Sequence, residues 1–487
     1  MKVIPDDIIS FFNPQSLAIV GASRNFRKWG AIILHNTLLG GYQGRIYPVN
    51  PGEKDIFNVP VYPRLSDIPE IVDLVVIVVP ARNVMSVLEE VQQLGIRACV
   101  VITAGFSETG ESGRKLEREI ARFVKRHGIR LMGPNCMGLI SMIPQRLTVL
   151  MPAIVPEPGP VSIVSQSGNV GYSLVRALTR RGLGICRSIS SGNEADLSTV
   201  DFLHYLGEDP ETELIISYIE GIDDGRALLD TLKRVTRKKP VIVLKSGSTG
   251  AGASASASHT GSMTGRDDVY SAAFSQTGAL RARGIEEVED FATVLCSQPR
   301  PTGRRVGVLT LGGGWGVLAA DALERAGLEV VRLASETVAT LDTLLPPWWS
   351  RGNPVDTVAG MKEGALFECL KTLLACEYID SVMLLGVGYG SVRGSAIKNS
   401  PYSDLYEMKK LGDIFIKADE EIARGITDLI KTFRKPIVPV VDQGIIDQRG
   451  SFVEALQKNG ILLLTSPLRG ANALAALTRY GEYLSRI

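Results

Sequence analysis

The sequence has few histidines, few aromatic side chains and almost no net charge. Four of its 487 residues are histidines, 6% are aromatic, and 53 Lys and Arg residues stand against 52 Asp and Glu residues. The resulting net charge of +1 gives no electrostatic reason to expect a nucleic-acid or membrane partner. Ligands and partners therefore have to be inferred from individual sites.

Paired cysteines and long apolar runs are also missing. The six cysteines are scattered without a CxxC spacing, which is typical of reduced cytosolic thiols rather than of a disulfide framework or a zinc site. Apolar runs such as VDLVVIVVP are far shorter than the roughly 18–20 residues of a membrane span. The opening MKVIPDD does not have the pattern of a secretory signal. We therefore expect a soluble cytoplasmic protein.

Three segments begin alike, with an apolar strand that runs into a glycine-rich turn. They are SLAIVGAS from Ser16, PVSIVSQSGNVG from Pro160 and RVGVLTLGGGWG from Arg305, at nearly equal spacing. Apolar runs alternate with helical patterns in each unit, which indicates buried parallel strands separated by helices. The sequence therefore predicts an α/β protein. Proline-rich segments near 151–160 and 296–304 indicate linkers between domains. We expect three Rossmann- or flavodoxin-like parallel-sheet domains in series, at 1–150, 151–300 and 301–487, with a less regular insertion at 390–421 to which we assign no role.

The glycine turn at the end of the first strand is a candidate phosphate site. A strand that feeds a helix through glycines leaves backbone N–H groups at the helix N-terminus, where the dipole favours an anion. The turn is Gly21–Arg24, and Lys54 belongs to a nearby basic set that could neutralise a phosphate. It is not a GxGxxG motif, so an ordinary tight turn and a nicotinamide site remain alternatives. Val78–Pro80 and Thr103–Glu108 follow further strands and are expected at the same sheet edge.

The second unit opens with another turn of this kind. Ser165–Gly168 (SQSG) precedes a helical pattern and could give hydroxyl and amide donors to a small anion. An N-terminal helix cap without a ligand is the alternative. Ser190–Asp196 (SSGNEAD) supplies a further loop at this edge of the predicted sheet.

His259 stands in GASASASHTGSMT, among residues that cannot pack a core. Its loop follows a predicted strand, PVIVLKSG, and so begins at the ligand-binding edge of the sheet. An imidazole can act as a base, a metal ligand or a nucleophile, but no second His or Cys lies in the loop to complete a metal site. Hydroxyls and backbone N–H groups suit a phosphoryl carrier. Glu220, at the end of TELIISYIEG, could orient the imidazole, unless it is only a solvated acid; His35, His127 and His204 are expected to be structural.

The order of these motifs resembles a known family. GAS, GPNCMG, SQSG, YIEG and SASHTGSMTG follow one another as in the α subunit of succinyl-CoA synthetase. They are more closely similar to the α subunit of nucleoside-diphosphate-forming acyl-CoA (acetyl-CoA) synthetases, over nearly the whole chain. The resemblance implies an acid–thiol ligase that interconverts acyl-CoA, ADP and phosphate with carboxylate, CoA and ATP. The implied intermediates are an acyl phosphate and a phosphohistidine.

The resemblance also implies roles for individual residues. His259 would be the phosphorylated nucleophile and Glu220 its orienting partner. Asn135 and Cys136 stand where the family's thioester end is expected, although packing alone would also explain a buried Cys136. The phosphate would lie at the helix start formed by Ser165, Gln166, Ser167 and Gly168. The coenzyme A site would draw on Gly21, Ala22, Ser23, Arg24, Asn50, Lys54, Val79, Pro80, Thr103, Glu108, Asn135 and Cys136.

One part of the family's pattern is absent from the sequence. No region resembles the ATP-grasp module that binds nucleotide and Mg²⁺ in this family, and no Walker A motif occurs. The resemblance therefore implies an obligate ATP-grasp β subunit, in an expected α2β2 heterotetramer whose interface the third domain would support. Two alternatives remain. An NAD(P)-binding dehydrogenase leaves the His259 loop unexplained, and a non-catalytic CoA-binding regulatory subunit predicts the loss of His259 or Glu220, which are both present.

Overall fold

The computed structural model describes residues 6–252, 254, 265–358, 364–442, 444–445 and 450–487. They divide into two compact units, Met1–Val288 and Glu289–Ile487. His259 lies outside the described residues. The domain boundaries that we predict near 150 and 300 stay predictions.

The first sheet of the unit Met1–Val288 is parallel. In the described residues its strands are hydrogen-bonded in the order β2-β1-β5-β6-β7, and β3 and β4 form a separate antiparallel pair. The apolar runs of β1, β5 and β6 are buried along their whole length, because both faces of a parallel sheet are covered. The strands are β1 (Ser16–Val20), β2 (Arg45–Val49), β3 (Asp55–Ile56), β4 (Val59–Pro60), β5 (Leu74–Ile77), β6 (Ala98–Val101) and β7 (Arg130–Met132).

Helices connect these strands, and the longest shows why such a segment folds as it does. The helix Glu111–His127 buries Ile120 and Val124, four residues apart on one face. Glu111 in its first turn and Lys125–His127 in its last turn complement the helix dipole, and the helix ends at Gly128, whose φ is +65°. The helices of this part are α1 (Asp6–Phe12), α2 (Trp29–Leu39), α3 (Val84–Gln93) and α4 (Glu111–His127).

The second sheet of this unit is mixed. Its described strands are ordered β14-β13-β12-β10-β11-β8-β9, with antiparallel pairing of β8 to β11 and of β9 to β8, and parallel pairing elsewhere. The strands are β8 (Gly138–Ser141), β9 (Leu147–Leu150), β10 (Pro158–Ser165), β11 (Ile185–Ser190), β12 (Leu214–Ile219), β13 (Val241–Lys245) and β14 (Leu280–Ala282). The described helices are α5 (Gly168–Arg180), α6 (Thr199–Glu208), α7 (Gly225–Val235) and α8 (Asp267–Thr277).

A buried arginine, Arg187, connects β8 to β11 in the second sheet. Arg187 on β11 donates from Nη1 to Ser141 Oγ at 2.8 Å, and its Nε lies 3.4 Å from Asp209 Oδ2 in a buried ion pair. Residues 138–150 follow the first sheet in the chain, yet they extend the second sheet in space.

The unit Glu289–Ile487 contains a third parallel sheet. Its described strands are ordered β16-β15-β18-β19, and β17 pairs with β15. The helix α9 (Ile285–Ser297) contains the division between the two units. The strands are β15 (Arg305–Thr310), β16 (Glu329–Val330), β17 (Val355–Asp356), β18 (Ser381–Leu385) and β19 (Ile437–Val440). The described helices are α10 (Gly313–Arg325), α11 (Ser335–Leu344), α12 (Ala365–Ala375), α13 (Tyr389–Lys398), α14 (Met408–Phe433), α15 (Ser451–Lys458) and α16 (Pro467–Ser485).

Residues 390–421, which the sequence suggests are less regular, lie mostly in the helices α13 and α14. These helices pack closely because glycines face each other: a Cβ on Gly394 would lie 2.5 Å from the carbonyl oxygen of Gly412. The predicted α/β class with mostly parallel sheets is confirmed. Within the described part of the chain, every helix is too short or too polar to cross a membrane.

Candidate active site

The turn after β1 lies against the end of β5. Gly21 has a φ of +94°, and a Cβ there would lie 2.7 Å from the carbonyl oxygen of Val78, so only glycine fits. Ala22 and Ser23 follow as buried residues, and Ser23 Oγ accepts the backbone N–H of Asn25 at 3.1 Å. Asn50, after β2, donates from Nδ2 to the Ala22 carbonyl at 2.6 Å. Two neighbouring strand ends therefore meet at the predicted phosphate turn.

Arg24 at this turn is paired with acidic residues. Its Nη2 lies 2.7 Å from Asp55 Oδ2 and its Nε lies 3.2 Å from Glu53 Oε2, with the guanidinium largely exposed. Exposed pairs of this kind contribute little to stability. A phosphate could therefore replace the two acids as the partner of Arg24. Lys54 is exposed beside them.

The ends of β5, β6 and β7 are joined by hydrogen bonds at the same edge. Thr103 donates from Oγ1 to the Val79 carbonyl at 2.7 Å and accepts the Asn135 backbone N–H on its own carbonyl at 2.9 Å. Pro80 is exposed at the rim, and Asn135 is exposed with a φ of +56°. The predicted residues after β5, β6 and β7 thus share one edge of the first sheet, where parallel sheets bind ligands.

Asn193, which we do not select from the sequence, connects the first sheet edge to the loop after β11. Its Nδ2 donates to Glu108 Oε2 at 2.8 Å, and its Oδ1 accepts from Asn135 Nδ2 at 3.1 Å. Burial acts to raise the pKa of Glu108, but hydrogen bonds from the Gly105 and Phe106 N–H groups and from Asn193 outweigh it and lower that pKa. The sequence indicates the SSGNEAD loop as part of the sheet edge, but no pattern in it distinguishes Asn193 from the other residues of the loop.

Cys136 lies beside the end of β6. Its side chain is buried, and Sγ lies 3.4 Å from the Val101 carbonyl. Burial raises the pKa of the thiol to about 12. The sulfur is therefore protonated near neutral pH and is a poor nucleophile.

The SQSG turn caps helix α5. Ser167 is the N-terminal cap, and its Oγ accepts the Val170 N–H at 3.5 Å. Ser165 donates from Oγ to the Ser167 carbonyl at 2.6 Å. A Cβ on Gly168 would lie 2.2 Å from the Met137 side chain, so glycine permits this contact.

Gln166 directs its amide at the chain after β12. Its Oε1 accepts the backbone N–H groups of Glu220 at 2.6 Å and of Gly221 at 3.2 Å. Its Nε2 donates to the Gly221 carbonyl at 2.8 Å. The side chain of Gln166 therefore holds the Glu220 backbone, whereas we expect from the sequence that it contacts phosphate.

Lys245 holds the same residue from another strand. Its Nζ donates to the Glu220 carbonyl at 2.8 Å and to the Ser246 carbonyl at 2.5 Å. The side chain is buried, and burial lowers the pKa of the ammonium group. Sequence analysis does not select Lys245, because a lysine at the end of an apolar strand normally reaches solvent.

Glu194 completes the hydrogen-bonded group around Gln166. Its Oε1 accepts from Ser191 Oγ at 2.7 Å and from Thr199 Oγ1 at 2.6 Å, and the Gln166 side chain acts to lower the pKa of the carboxyl group. Burial raises the pKa of Glu194 despite these hydrogen bonds. The residue has a φ of +58°, and its side chain is held by Ser191 in the same loop and by Thr199 at the start of α6.

Gln166, Asn193, Glu194 and Glu220 line a cavity of about 600 Å³ in the unit Met1–Val288. The cavity brings together Asn135 of the predicted CoA site, Gln166 of the predicted phosphate site and Glu220, the predicted orienting residue of His259. His204 and Arg234 line it as well, with His204 Nε2 at 3.5 Å from Arg234 Nη1. Among the residues that the structure describes, no group of three His, Cys, Asp or Glu side chains is arranged to hold a metal ion.

Comparisons with known proteins define the class of chain to which this site belongs. The family model described as "CoA binding domain" matches residues 15–142. The family model described as "Succinyl-CoA ligase like flavodoxin domain" matches residues 158–295. The chain thus combines a CoA-binding domain with a domain of the succinyl-CoA ligase type.

Individual relatives make the assignment narrower. The α subunit of acetate–CoA ligase [ADP-forming] I from Pyrococcus furiosus is 36% identical over 482 residues, covering 98% of each chain. 4-Hydroxybutyrate–CoA ligase [ADP-forming] from Nitrosopumilus maritimus is 34% identical, covering 97% of this chain and 64% of that protein. The structure of dinucleotide-forming acetyl-coenzyme A synthetase 1 from Ca. Korarchaeum cryptofilum, in complex with phosphate and ADP, superimposes with a TM-score of 0.85 at 32% identity, over 99% of each chain. The chain belongs to the family of α subunits of ADP-forming acetate–CoA ligases.

Proposed function

We propose that this chain is the catalytic α subunit of an ADP-forming acyl-CoA ligase. The enzyme would interconvert acyl-CoA, ADP and phosphate with a carboxylate, CoA and ATP. The observation that carries the proposal is the cavity that Asn135, at the edge of the first sheet, lines together with Gln166, before α5, and Glu220, after β12. A thioester carbonyl and a phosphate could meet there.

The proposed reaction divides one displacement into three transfers. A phosphate oxygen attacks the thioester carbonyl carbon, the C–S bond breaks, and CoA leaves as the thiolate. A ring nitrogen of His259 then attacks the phosphorus of the acyl phosphate, the P–O bond to the acyl group breaks, and the carboxylate leaves. The phosphoryl group finally passes from His259 to ADP, which gives ATP and restores the free imidazole.

The start of α5 is the proposed phosphate site. Backbone N–H groups and the helix dipole favour an anion at this point, which supports roles for Ser165, Ser167 and Gly168. Gln166 would contribute by fixing Glu220, since its amide is hydrogen-bonded to the backbone after β12. Glu220, buried at the cavity wall, would accept a hydrogen bond from the imidazole of His259 and orient it.

The proposed CoA site follows the carboxyl edge of the first sheet. The turn after β1 would receive a phosphate of the nucleotide portion, with Arg24 and Lys54 as its cations. Asn135 would lie at the thioester end, and Cys136 would support it by packing. The full proposed set is Gly21, Ala22, Ser23, Arg24, Asn50, Lys54, Val79, Pro80, Thr103, Glu108, Asn135 and Cys136.

A partner subunit is part of the proposal. Two relatives that match this chain over nearly its full length are named as α subunits, which implies a second kind of chain. We propose that the partner is an ATP-grasp β subunit that binds the nucleotide and Mg²⁺, in an α2β2 assembly in the cytoplasm.

The test is ATP formation by the chain co-expressed and purified with its β subunit. Acetyl-CoA, 4-hydroxybutyryl-CoA and feruloyl-CoA form the substrate panel, since these acids occur in the names of relatives. We expect ATP formation, accompanied by sustained CoA release, that requires both ADP and phosphate and is lost in His259→Ala. A folded complex that binds CoA but releases none from any ester would overturn the proposal in favour of a regulatory subunit.

A further inference from the structure

Lys245 is a buried cation whose hydrogen bonds go to backbone carbonyls. Only 5% of the residue is exposed, and its Nζ donates to the carbonyls of Glu220 and Ser246. Burying an ammonium group costs free energy, whereas an apolar side chain of similar size would fill the space without that cost. A lysine at this position therefore suggests a function beyond packing.

The peptide groups of Glu220 are held from two sides. Gln166 accepts its backbone N–H at 2.6 Å, and Lys245 donates to its carbonyl at 2.8 Å. These two side chains come from the ends of β10 and β13, the strands on either side of β12. The backbone that carries the Glu220 carboxylate is thus fixed by both neighbouring strands.

An aromatic ring fixes the ammonium group in turn. Nζ of Lys245 lies 4.7 Å from the centroid of the Tyr270 ring, within the range of a cation–π contact. Burial raises the pKa of the Tyr270 hydroxyl, and the backbone N–H of Ile222 acts against this rise. Tyr270, on α8, therefore connects Lys245 to the residue two positions after Glu220.

We propose that Lys245 is a positioning residue that, together with Gln166 and Tyr270, sets the place of the Glu220 carboxylate in the cavity. The inference rests on the proposed function, in which Glu220 orients His259. Lys245 does not line the cavity among the described residues, so it would act only through Glu220.

Lys239 offers a matched control for a Lys245→Met variant. It lies before β13, at the opposite end of the strand, and its Nζ donates to the backbone carbonyls of Leu206 (2.8 Å) and Asp209. Burial lowers the pKa of this lysine too. Lys239→Met thus removes a partly buried ammonium group of the same unit that also donates to two backbone carbonyls, without touching Glu220.

The first measurement is the single-turnover rate of ³²P incorporation from acyl-CoA and labelled phosphate, in the complex with the β subunit. We expect Lys245→Met to slow labelling by about 10–100-fold, because small misplacements of a catalytic group have effects of this size. The KM for acyl-CoA should be unchanged, and Lys239→Met should label at the wild-type rate. A wild-type rate in Lys245→Met would overturn the inference.

A double-mutant cycle separates positioning from a general structural effect. If Lys245 acts through Glu220, then Glu220→Gln with Lys245→Met should be no slower than Glu220→Gln alone. Losses that multiply would contradict the inference.

Amide hydrogen exchange tests the positioning without any turnover. Lys245→Met should speed exchange in the peptide that contains residues 220–222, and Lys239→Met should not. Unchanged exchange would overturn the inference. Absence of label in the wild-type complex would count against the proposed function instead, and exchange would still decide whether Lys245 holds Glu220.

Discussion

The side-chain oxygen of Gln166 accepts the backbone N–H of Glu220 at 2.6 Å and so joins the turn before α5 to the end of β12. This hydrogen bond connects two motifs that lie far apart in the sequence, SQSG and YIEG. The sequence predicts that the amide of Gln166 contacts phosphate. In the structure this amide is hydrogen-bonded to the backbone next to the Glu220 carboxylate.

Removing this amide should slow chemistry more than binding. We expect Gln166→Ala to reduce the rate of phosphohistidine formation by about 100-fold, because the Glu220 backbone loses its N–H partner and the carboxylate moves. The KM for acyl-CoA should change little. Gln298→Ala is the control, since Gln298 Oε1 also accepts a backbone N–H, that of Ile437 at 3.1 Å, in the other unit. Phosphorylation of Gln166→Ala at the control's rate would contradict this assignment.

Glu194 should make the stability of the protein depend on pH. Burial raises the pKa of its carboxyl group in the folded state, so the folded protein binds more protons than the unfolded chain between the two pKa values. The stability that this group contributes is present at low pH and is lost as the pH rises through the folded pKa. Glu194→Gln cannot ionise, so its melting temperature relative to wild type should increase from pH 5 to pH 8.

Glu208→Gln is the control for this measurement, because the pKa of Glu208 is lowered and not raised. A hydrogen bond from Lys238 lowers the pKa of Glu208, so this group is ionised in both states at pH 5 and pH 8. The difference in melting temperature between this variant and wild type should therefore be nearly the same at the two pH values. If the difference in melting temperature between Glu194→Gln and wild type is also the same at pH 5 and pH 8, the proposed effect of burial on the pKa of Glu194 is wrong.

The thiol of Cys136 should be unreactive and dispensable for chemistry. Its pKa is raised to about 12 by burial, so iodoacetamide should modify the partly exposed Cys296 and Cys376 in the native protein and leave Cys136 unmodified. Cys136→Ser should keep most of the CoA-releasing activity. Rapid alkylation of Cys136 that abolishes turnover would show that the sulfur takes part in catalysis.

Arg24 should contribute to CoA affinity through its charge. We expect Arg24→Gln to weaken CoA binding by about tenfold, measured by calorimetry, in line with the loss of one charge-assisted hydrogen bond. The loss should shrink at high salt. Arg64→Gln is the control, because Arg64 also forms an exposed ion pair, with Asp67 at 3.3 Å, but lies outside the proposed site. Equal affinities of the two variants would remove Arg24 from the CoA site.

Much of the fold follows from local patterns in the sequence. Continuous apolar runs predict β1, β5, β6 and β12 because buried parallel strands require apolar side chains on both faces. The place of β8 and β9 does not follow, since residues 138–150 are apolar in either sheet. Their attachment to β11 depends on hydrogen bonds over long sequence distances, such as that of Arg187 to Ser141.

The residues of the candidate site can also be predicted from the sequence only in part. Sequence motifs indicate Glu220 and the start of α5, because glycines and strand ends leave a local signal. They do not indicate Asn193, Glu194 or Lys245, whose roles depend on which strands are neighbours. A lysine that donates to two carbonyls cannot be distinguished by its sequence from one that reaches solvent.

We propose that His259 carries the phosphoryl group, and ³²P incorporation from acyl-CoA and labelled phosphate measures this transfer. His204 gives a strict control, because it is a second histidine and lines the cavity of Glu220. Label that is stable in base, labile in acid, lost in His259→Ala and retained in His204→Ala is the predicted result. Label that persists in His259→Ala would show that another residue carries the phosphoryl group.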